Sequence, residues 1–290
     1  MQHPIAKTAA ATAVALVLLV AVSAAAVPQV RHIASGWWNN PETLAGLPEN
    51  RHVRYEAGAL DRARIVAALL PDTIARVEAV HGRPFAHPVI VGVYVTPEAY
   101  AAANGTGVAG AVGVNFLGRV ILSPSLFTTK RRRLPAMLTH ELSHAHVRSW
   151  MSELRFIALP NWFKEGLAVM VSDGGGAEEV SVADARDAIR WGDHIALKTD
   201  GSVLDWVGVR MVRPPEVPET SFRTQMAYRQ AGMFVAFLQD TNPTAFAAMM
   251  QAILDGRPFA AAVERAYDMG VEALWLRFLR LPAQSTGAAR

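Results

Sequence analysis

His140, Glu141 and His144 stand in one short run, His140-Glu141-Leu142-Ser143-His144, and their types and spacing suit metal-assisted hydrolysis. Residues four apart lie on one face of a helix. Both imidazoles can therefore reach a single cation, while Glu141, next to His140, projects toward the side where a water would be activated. The pattern needs a helix, and Pro135 sits where a helix's first turn tolerates proline. The segment from there to about Trp150 reads as that helix. His146 falls about 200° from the mean direction of His140 and His144 on a helix that turns about 100° per residue. It is expected to be a partly buried or solvated histidine rather than a ligand.

A second segment, Leu159-Pro160-Asn161-Trp162-Phe163-Lys164-Glu165-Gly166-Leu167-Ala168, follows. Together the two segments resemble the metal-binding helices of gluzincin metallopeptidases, especially the small peptidase-MA-like group. The resemblance implies that His140, His144 and Glu165, which lies 21 residues after His144, hold one zinc ion per chain. It further implies that Glu141 is the general base and that a peptide or protein substrate is hydrolysed. Tyr228-Arg229-Gln230-Ala231-Gly232-Met233-Phe234-Val235-Ala236-Phe237-Leu238 resembles the helix after the metal site in those families. Several gluzincins place a transition-state-stabilising tyrosine there, which implies a catalytic Tyr228; plain packing is the alternative. The similarity covers roughly residues 55 to 280 and is most specific at 140 to 168.

Other zinc families fail on this chain. A metzincin needs a third histidine six residues after the second, where this chain has Trp150, and a glycine where it has Val147. Peptide deformylases use a cysteine ligand, and there is no cysteine here. One departure concerns the thermolysin-like pattern, in which an aspartate four residues after the ligand glutamate orients the first histidine. Val169 stands at that position. Asp173 lies about 12 Å along a helix from Glu165 and is a poor substitute, so the partner of His140 is left open.

The elements that must position these residues can be outlined from patterning. Ile65, Leu69, Ile74 and Val77 recur at helical spacing, with Pro71 a site for a kink. Val89 to Val95 is a β-branched run suited to a buried strand, and Pro97 to Ala103 suits a short helix. Val112, Val114 and Phe116 alternate as in a half-exposed strand near a sheet edge, paired with the apolar run Arg119 to Leu122 through Gly118. Pro160-Asn161 opens the second metal helix, with Asn161 as its cap, and Gly174-Gly175-Gly176 ends it. Trp162 and Phe163 either line a pocket or pin this helix to the core, and packing is expected for at least one. Beyond Ser181 the chain reads as mostly helical, interrupted by a proline-rich loop from Arg213 to Pro218.

The fold expected is α+β: a zincin-like domain with a small twisted sheet, helices carrying the two halves of the metal site, and a helical C-terminal half. A bound peptide is expected to add to the sheet as an extended strand along residues 112 to 116. Two alternatives to peptide hydrolysis stay open at this point. One is a membrane-tethered zinc-binding or assembly module with little turnover, the other a zinc amidase acting on cell-wall peptides.

Hydrophobic residues make up 51% of the 290 and charged residues 18%, an apolar balance that owes much to the N-terminus. Ala9 to Val27 carries no charge and follows Lys7. Its inner run Ala13 to Val22 suits a signal peptide, with Ala24-Ala25-Ala26 as the cleavage site. The whole span, about 19 residues or roughly 28 Å as a helix, also nearly matches a bilayer core. Either way Lys7 favours an N-terminus in the cytoplasm and a domain outside it, released or membrane-associated through residues 9 to 27. Residues 28 to 50 read as linker and turns, 51 to 282 as the domain, and 283 to 290 as a flexible tail. Without cysteine no disulfide stabilises the exported domain. A net charge of +3 is not the footprint of a nucleic-acid binder, and the basic run Lys130-Arg131-Arg132-Arg133 reads as a solvated loop.

Overall fold

The computed structural model describes residues 27–201 and 220–280. The expected signal or anchor segment before Val27, the proline-rich loop from Arg213 to Pro218 and the tail 283–290 lie outside the described residues. Among those described, the chain is α+β with a mixed five-stranded sheet. Strands β1 (Ala45–Leu47), β2 (Asn50–Tyr55), β3 (Val91–Val93), β4 (Gly113–Phe116) and β5 (Arg119–Leu122) take the order β1-β2-β3-β5-β4. The three inner strands are parallel, and the two edge strands are antiparallel to their neighbours. Val53, Val91 and Val120 stand side by side in register, a β-branched row fully shielded from water.

Helix α1 (Pro28–Trp38) precedes the sheet, α2 (Leu60–His81) joins β2 to β3, and α3 (Pro97–Ala103) lies between β3 and β4. Then come α4 (Leu134–Ser149), α5 (Glu153–Ala158), α6 (Asn161–Val171) and α7 (Val182–Arg190), followed by α8 (Thr220–Thr241), α9 (Pro243–Leu254), α10 (Phe259–Tyr267) and α11 (Val271–Leu279). One connected core runs from Val91, Val93, Val120 and Leu122 on one sheet face, through α2, α4 and α6, to the C-terminal helices. A smaller core of Tyr94, Tyr100, Ala103, Phe116 and Ile121 covers the other face. Helix α4 is buried nearly all round, as expected of a helix enclosed by a sheet and other helices rather than one at the surface.

Edge strand β4 begins at Gly113, so Val112 falls before it and packs on the main core instead, and the expected alternation holds for Val114 and Phe116 alone. Val114 and Phe116 join the smaller core, while their alternate neighbours turn toward α4. The β4–β5 turn puts Leu117 at φ 51° and Gly118 at φ 81°, the positive pair that a two-residue hairpin of matching twist requires.

Three expectations are corrected. Residues 28–50 are not plain linker: they form α1, a 3₁₀ turn at Pro41–Thr43 and β1, with Leu47 in the core. Pro28 and Pro41 read as turn residues, yet each opens a helical turn where its missing N–H costs nothing. The face of α2, which spans Leu60–His81 with Pro71 inside it, is not the predicted stripe: its buried residues are Ala63, Val66, Leu70, Thr73, Val77 and His81. Ile65 is half exposed instead, because the stripe counts small and polar side chains that a search for large apolar residues passes over. Asn161 does not cap α6, since the flanking residue is Pro160 and no side chain caps the helix.

Candidate metal centre

Helices α4 and α6 bring three ligand atoms together. His140 Nε2 and His144 Nε2 are 3.2 Å apart, and Glu165 Oε2 lies 3.3 Å from the first and 3.5 Å from the second. These are the spacings of one face of a tetrahedron whose metal–ligand bonds are about 2.0–2.1 Å, for which the edge is about 3.3–3.4 Å. Nitrogen, nitrogen and carboxylate oxygen at this separation form a group that could hold a metal ion. The sequence-predicted ligands His140, His144 and Glu165 are thus assembled at one point, and the donor set fits zinc.

A hydrogen bond from the first histidine sets which of its ring nitrogens faces the cluster. His140 Nδ1 lies 2.8 Å from the Gly175 carbonyl, which can only accept. Nδ1 therefore carries a proton and donates it, which leaves Nε2 as the atom turned toward the cluster and, in the neutral ring, the one able to bind a metal. Burial opposes charge on His140, but the Glu165 and Glu141 carboxylates and the Gly175 carbonyl outweigh it and push its pKa up to about 9. Burial likewise opposes charge on Glu165, and the two histidines hold it well below the usual carboxylate range.

Gly175 is the partner of His140 that patterning left open. The run Gly174-Gly175-Gly176 reads from sequence as a helix stop, and it does follow α6, but its larger use is to carry main chain against the first ligand. A Cβ on Gly176, at φ 86°, would lie 3.0 Å from the His140 ring. One on Gly175 would lie 2.7 Å from the Ala136 carbonyl oxygen. Arg229 fixes the residues after this turn, its guanidinium donating to the carbonyls of Val180 and Ala177 at 2.8 Å each.

Glu141 is buried, 5% exposed, under edge strand β4. A Cβ on Gly113 would lie 3.0 Å from Glu141 Cγ and 3.1 Å from its Oε1, so any side chain there would press on the carboxylate. Burial raises the Glu141 pKa, against the pull of His140, His144 and Arg148. Arg148, two turns along α4, is buried. It donates to the main-chain and side-chain oxygens of Asn115 at 3.1 and 2.9 Å, pairs with Glu153 at 3.0 Å and lies over the Phe156 ring. Asn115 in turn donates to the main-chain oxygen of Glu141 at 3.4 Å. Neither Asn115 nor Arg148 carries a sequence signal, because their pairing joins a strand to a helix 33 residues away.

Tyr228, on α8, reaches the cluster. Its ring stacks on His140 with centroids 6.2 Å apart, near the Glu165 carboxylate. Burial and the neighbouring Glu165 and Glu141 carboxylates keep the phenol protonated well above its ordinary range. Trp162 and Phe163 both pack, in a cluster with Phe234 and Phe259, and neither faces the metal ligands in a ring contact. Arg133 of the basic run pairs with Glu178 at 2.8 Å, while Arg131 and Arg132 are exposed.

His146 is fully buried, where sequence reasoning expects partial burial. Its Nε2 donates to the Arg83 carbonyl at 2.9 Å, so its Nδ1 accepts from His81 Nδ1 at 2.8 Å. His81 Nε2 then accepts from the Ser143 hydroxyl at 3.2 Å. Burial holds both rings below the ordinary histidine range, and the chain of bonds ties α2 to the back of α4. His146 is no ligand of the cluster.

Compared with protein-family models, with curated proteins and with solved structures, the chain matches none. What the site can do follows from its geometry and donor chemistry.

Proposed function

We propose that the protein is a zinc-dependent metallopeptidase of the gluzincin type, with a zincin-like fold around its metal site. The observation that carries this reading is the triad His140, His144 and Glu165, spaced 3.2–3.5 Å apart, with the buried carboxylate Glu141 beside it. A zinc ion held by the triad supplies Lewis acidity, polarising a substrate carbonyl and lowering the pKa of a water.

The protein's own groups then divide the work. Glu141, buried beside the triad, takes the proton from the attacking water and later gives it to the leaving amine nitrogen. The free edge of β4 aligns the substrate. Val112 accepts from Ser123 N–H across the sheet, so the alternate residues Gly113 and Asn115 turn their main-chain groups outward. Arg148 takes the Asn115 carbonyl, which leaves Gly113 as the residue able to pair both ways with an extended peptide. Tyr228 donates to the oxyanion that develops on the substrate carbonyl. His140 stays oriented by Gly175.

The reading places the domain outside the cytoplasm, following the uncharged stretch from Ala9 to Val27. No helix among the described residues is long and apolar enough to cross a membrane. Digestion of a peptide library tests the activity. Wild-type protein is expected to cleave it, while Glu141→Gln keeps zinc and fold but loses about 10²–10⁴ of the rate through loss of its general base. Near wild-type cleavage by Glu141→Gln would exclude Glu141 as the base.

A further inference from the structure

Helix α1 has two faces of opposite use. One packs on the domain: Ser35 donates to the Ala102 carbonyl at 2.9 Å, Ile33 joins the smaller core, and Gly36 sits so close to Gly105 that a Cβ would lie 2.6 Å from its nitrogen. The other face carries Val30, Ala34, Trp37 and Trp38, spaced as one stripe of a helix. Trp37 is 63% exposed and Trp38 76%. Two adjacent indoles left open to water on a helix otherwise fixed to the fold call for a partner surface.

The chain itself indicates which surface. The uncharged run from Ala9 ends at Val27, and α1 begins at Pro28, so nothing separates a segment of bilayer length from this helix. An eleven-residue helix is about 16 Å long. Standing upright it would lift both tryptophans clear of a membrane, whereas lying flat it brings the whole stripe to the surface. Indole suits that depth, with an apolar body and an N–H that stays hydrated. The exposed Arg31 borders the stripe, where its guanidinium can reach lipid phosphates.

We propose that α1 lies flat in the head-group region of a lipid bilayer with Trp37 and Trp38 inserted. The domain thereby gains a membrane contact beyond residues 9–27, independent of its hydrolytic activity. Because Gly36 and Gly105 both press on Phe116, at the end of β4, this contact also holds the edge strand of the site at a set orientation to the membrane.

The test uses the full chain reconstituted in vesicles of phosphatidylglycerol and phosphatidylethanolamine with brominated acyl chains. None of the seven tryptophans lies in residues 9–27, so quenching of tryptophan emission by bromine reports on the domain and not on that segment. Wild-type emission is expected to be quenched, and the quenched fraction to fall several-fold in Trp37→Phe/Trp38→Phe, with unchanged circular dichroism because both side chains are exposed. Equal quenching in wild type and variant would overturn the proposal, as would no quenching in wild type. A second copy covering the stripe would show as a detergent-stable dimer, lost in the variant and unquenched by lipid. That outcome would also overturn it.

Discussion

A main-chain carbonyl and not a carboxylate orients His140, and this makes the loop after α6 part of the metal site. The geometry leaves no room for a side chain at Gly176, whose positive φ also disfavours one. Gly176→Ala is therefore expected to push the His140 ring and lower zinc affinity by about 10–100-fold, as loss of an orienting contact to a ligand typically does. Competition with a zinc-binding dye measures this, and unchanged affinity would mean that the ring tolerates the methyl. Tyr228 is placed to act in either of two ways, on Glu165 or on the reacting carbonyl. Tyr228→Phe is expected to reduce kcat by about 10²–10³ with zinc affinity nearly unchanged, the mark of an oxyanion donor. Weakened zinc binding with kcat preserved would instead make Tyr228 a support for Glu165. Arg229, next to Tyr228 in the chain, is committed to two carbonyls and does not serve as that donor.

At the level of elements, the site depends on how closely helices approach. Helix α6 carries Glu165 and lies against α8, which carries Tyr228, with a glycine from each at the contact. A Cβ on Gly166 would meet the Ala231 carbonyl oxygen at 2.6 Å, and one on Gly232 would meet Val169 at the same distance. Gly166→Ala is expected to separate the helices and cost about 1–3 kcal/mol as an overpacked core does, read from denaturant unfolding. On the other side of α4, His81→Leu leaves His146 and Ser143 buried without their partner. A loss of about 1–3 kcal/mol is expected for those groups, with zinc content retained because His81 touches no ligand. The metal helices, the edge hairpin and helix α3 were legible in the sequence because local spacing specifies them. Proline at 135 and 160, the alternation of Val114 and Phe116 and the paired histidines are all local signals. The clamp of Arg148 on Asn115, the Gly175 carbonyl on His140 and the His81–His146 pair were not legible. Each joins residues 33 to 65 apart through contacts that only the fold creates. Residues 28–50 were misread for the opposite reason, since proline serves both turns and helix starts.

Across the whole molecule the triad joins two helices of one connected core. His140 and His144 belong to α4, against the sheet, whereas Glu165 belongs to α6, against the C-terminal helices, and a metal held by all three would tie the two helices together. With no cysteine in the chain, such a metal would take the place of the disulfide the chain cannot form. Ligand binding to the native state alone raises stability by about 2.7 kcal/mol at a free concentration of about 100 Kd, so chelation is expected to lower Tm and added zinc to restore it. The central claim is that His140, His144 and Glu165 together hold one zinc ion. Elemental analysis of the purified wild-type protein and Glu165→Ala tests it most directly. One zinc per chain in the wild type and a large loss in the variant are the expected results. Equal zinc in both would contradict the ligand assignment and the metallopeptidase reading built on it.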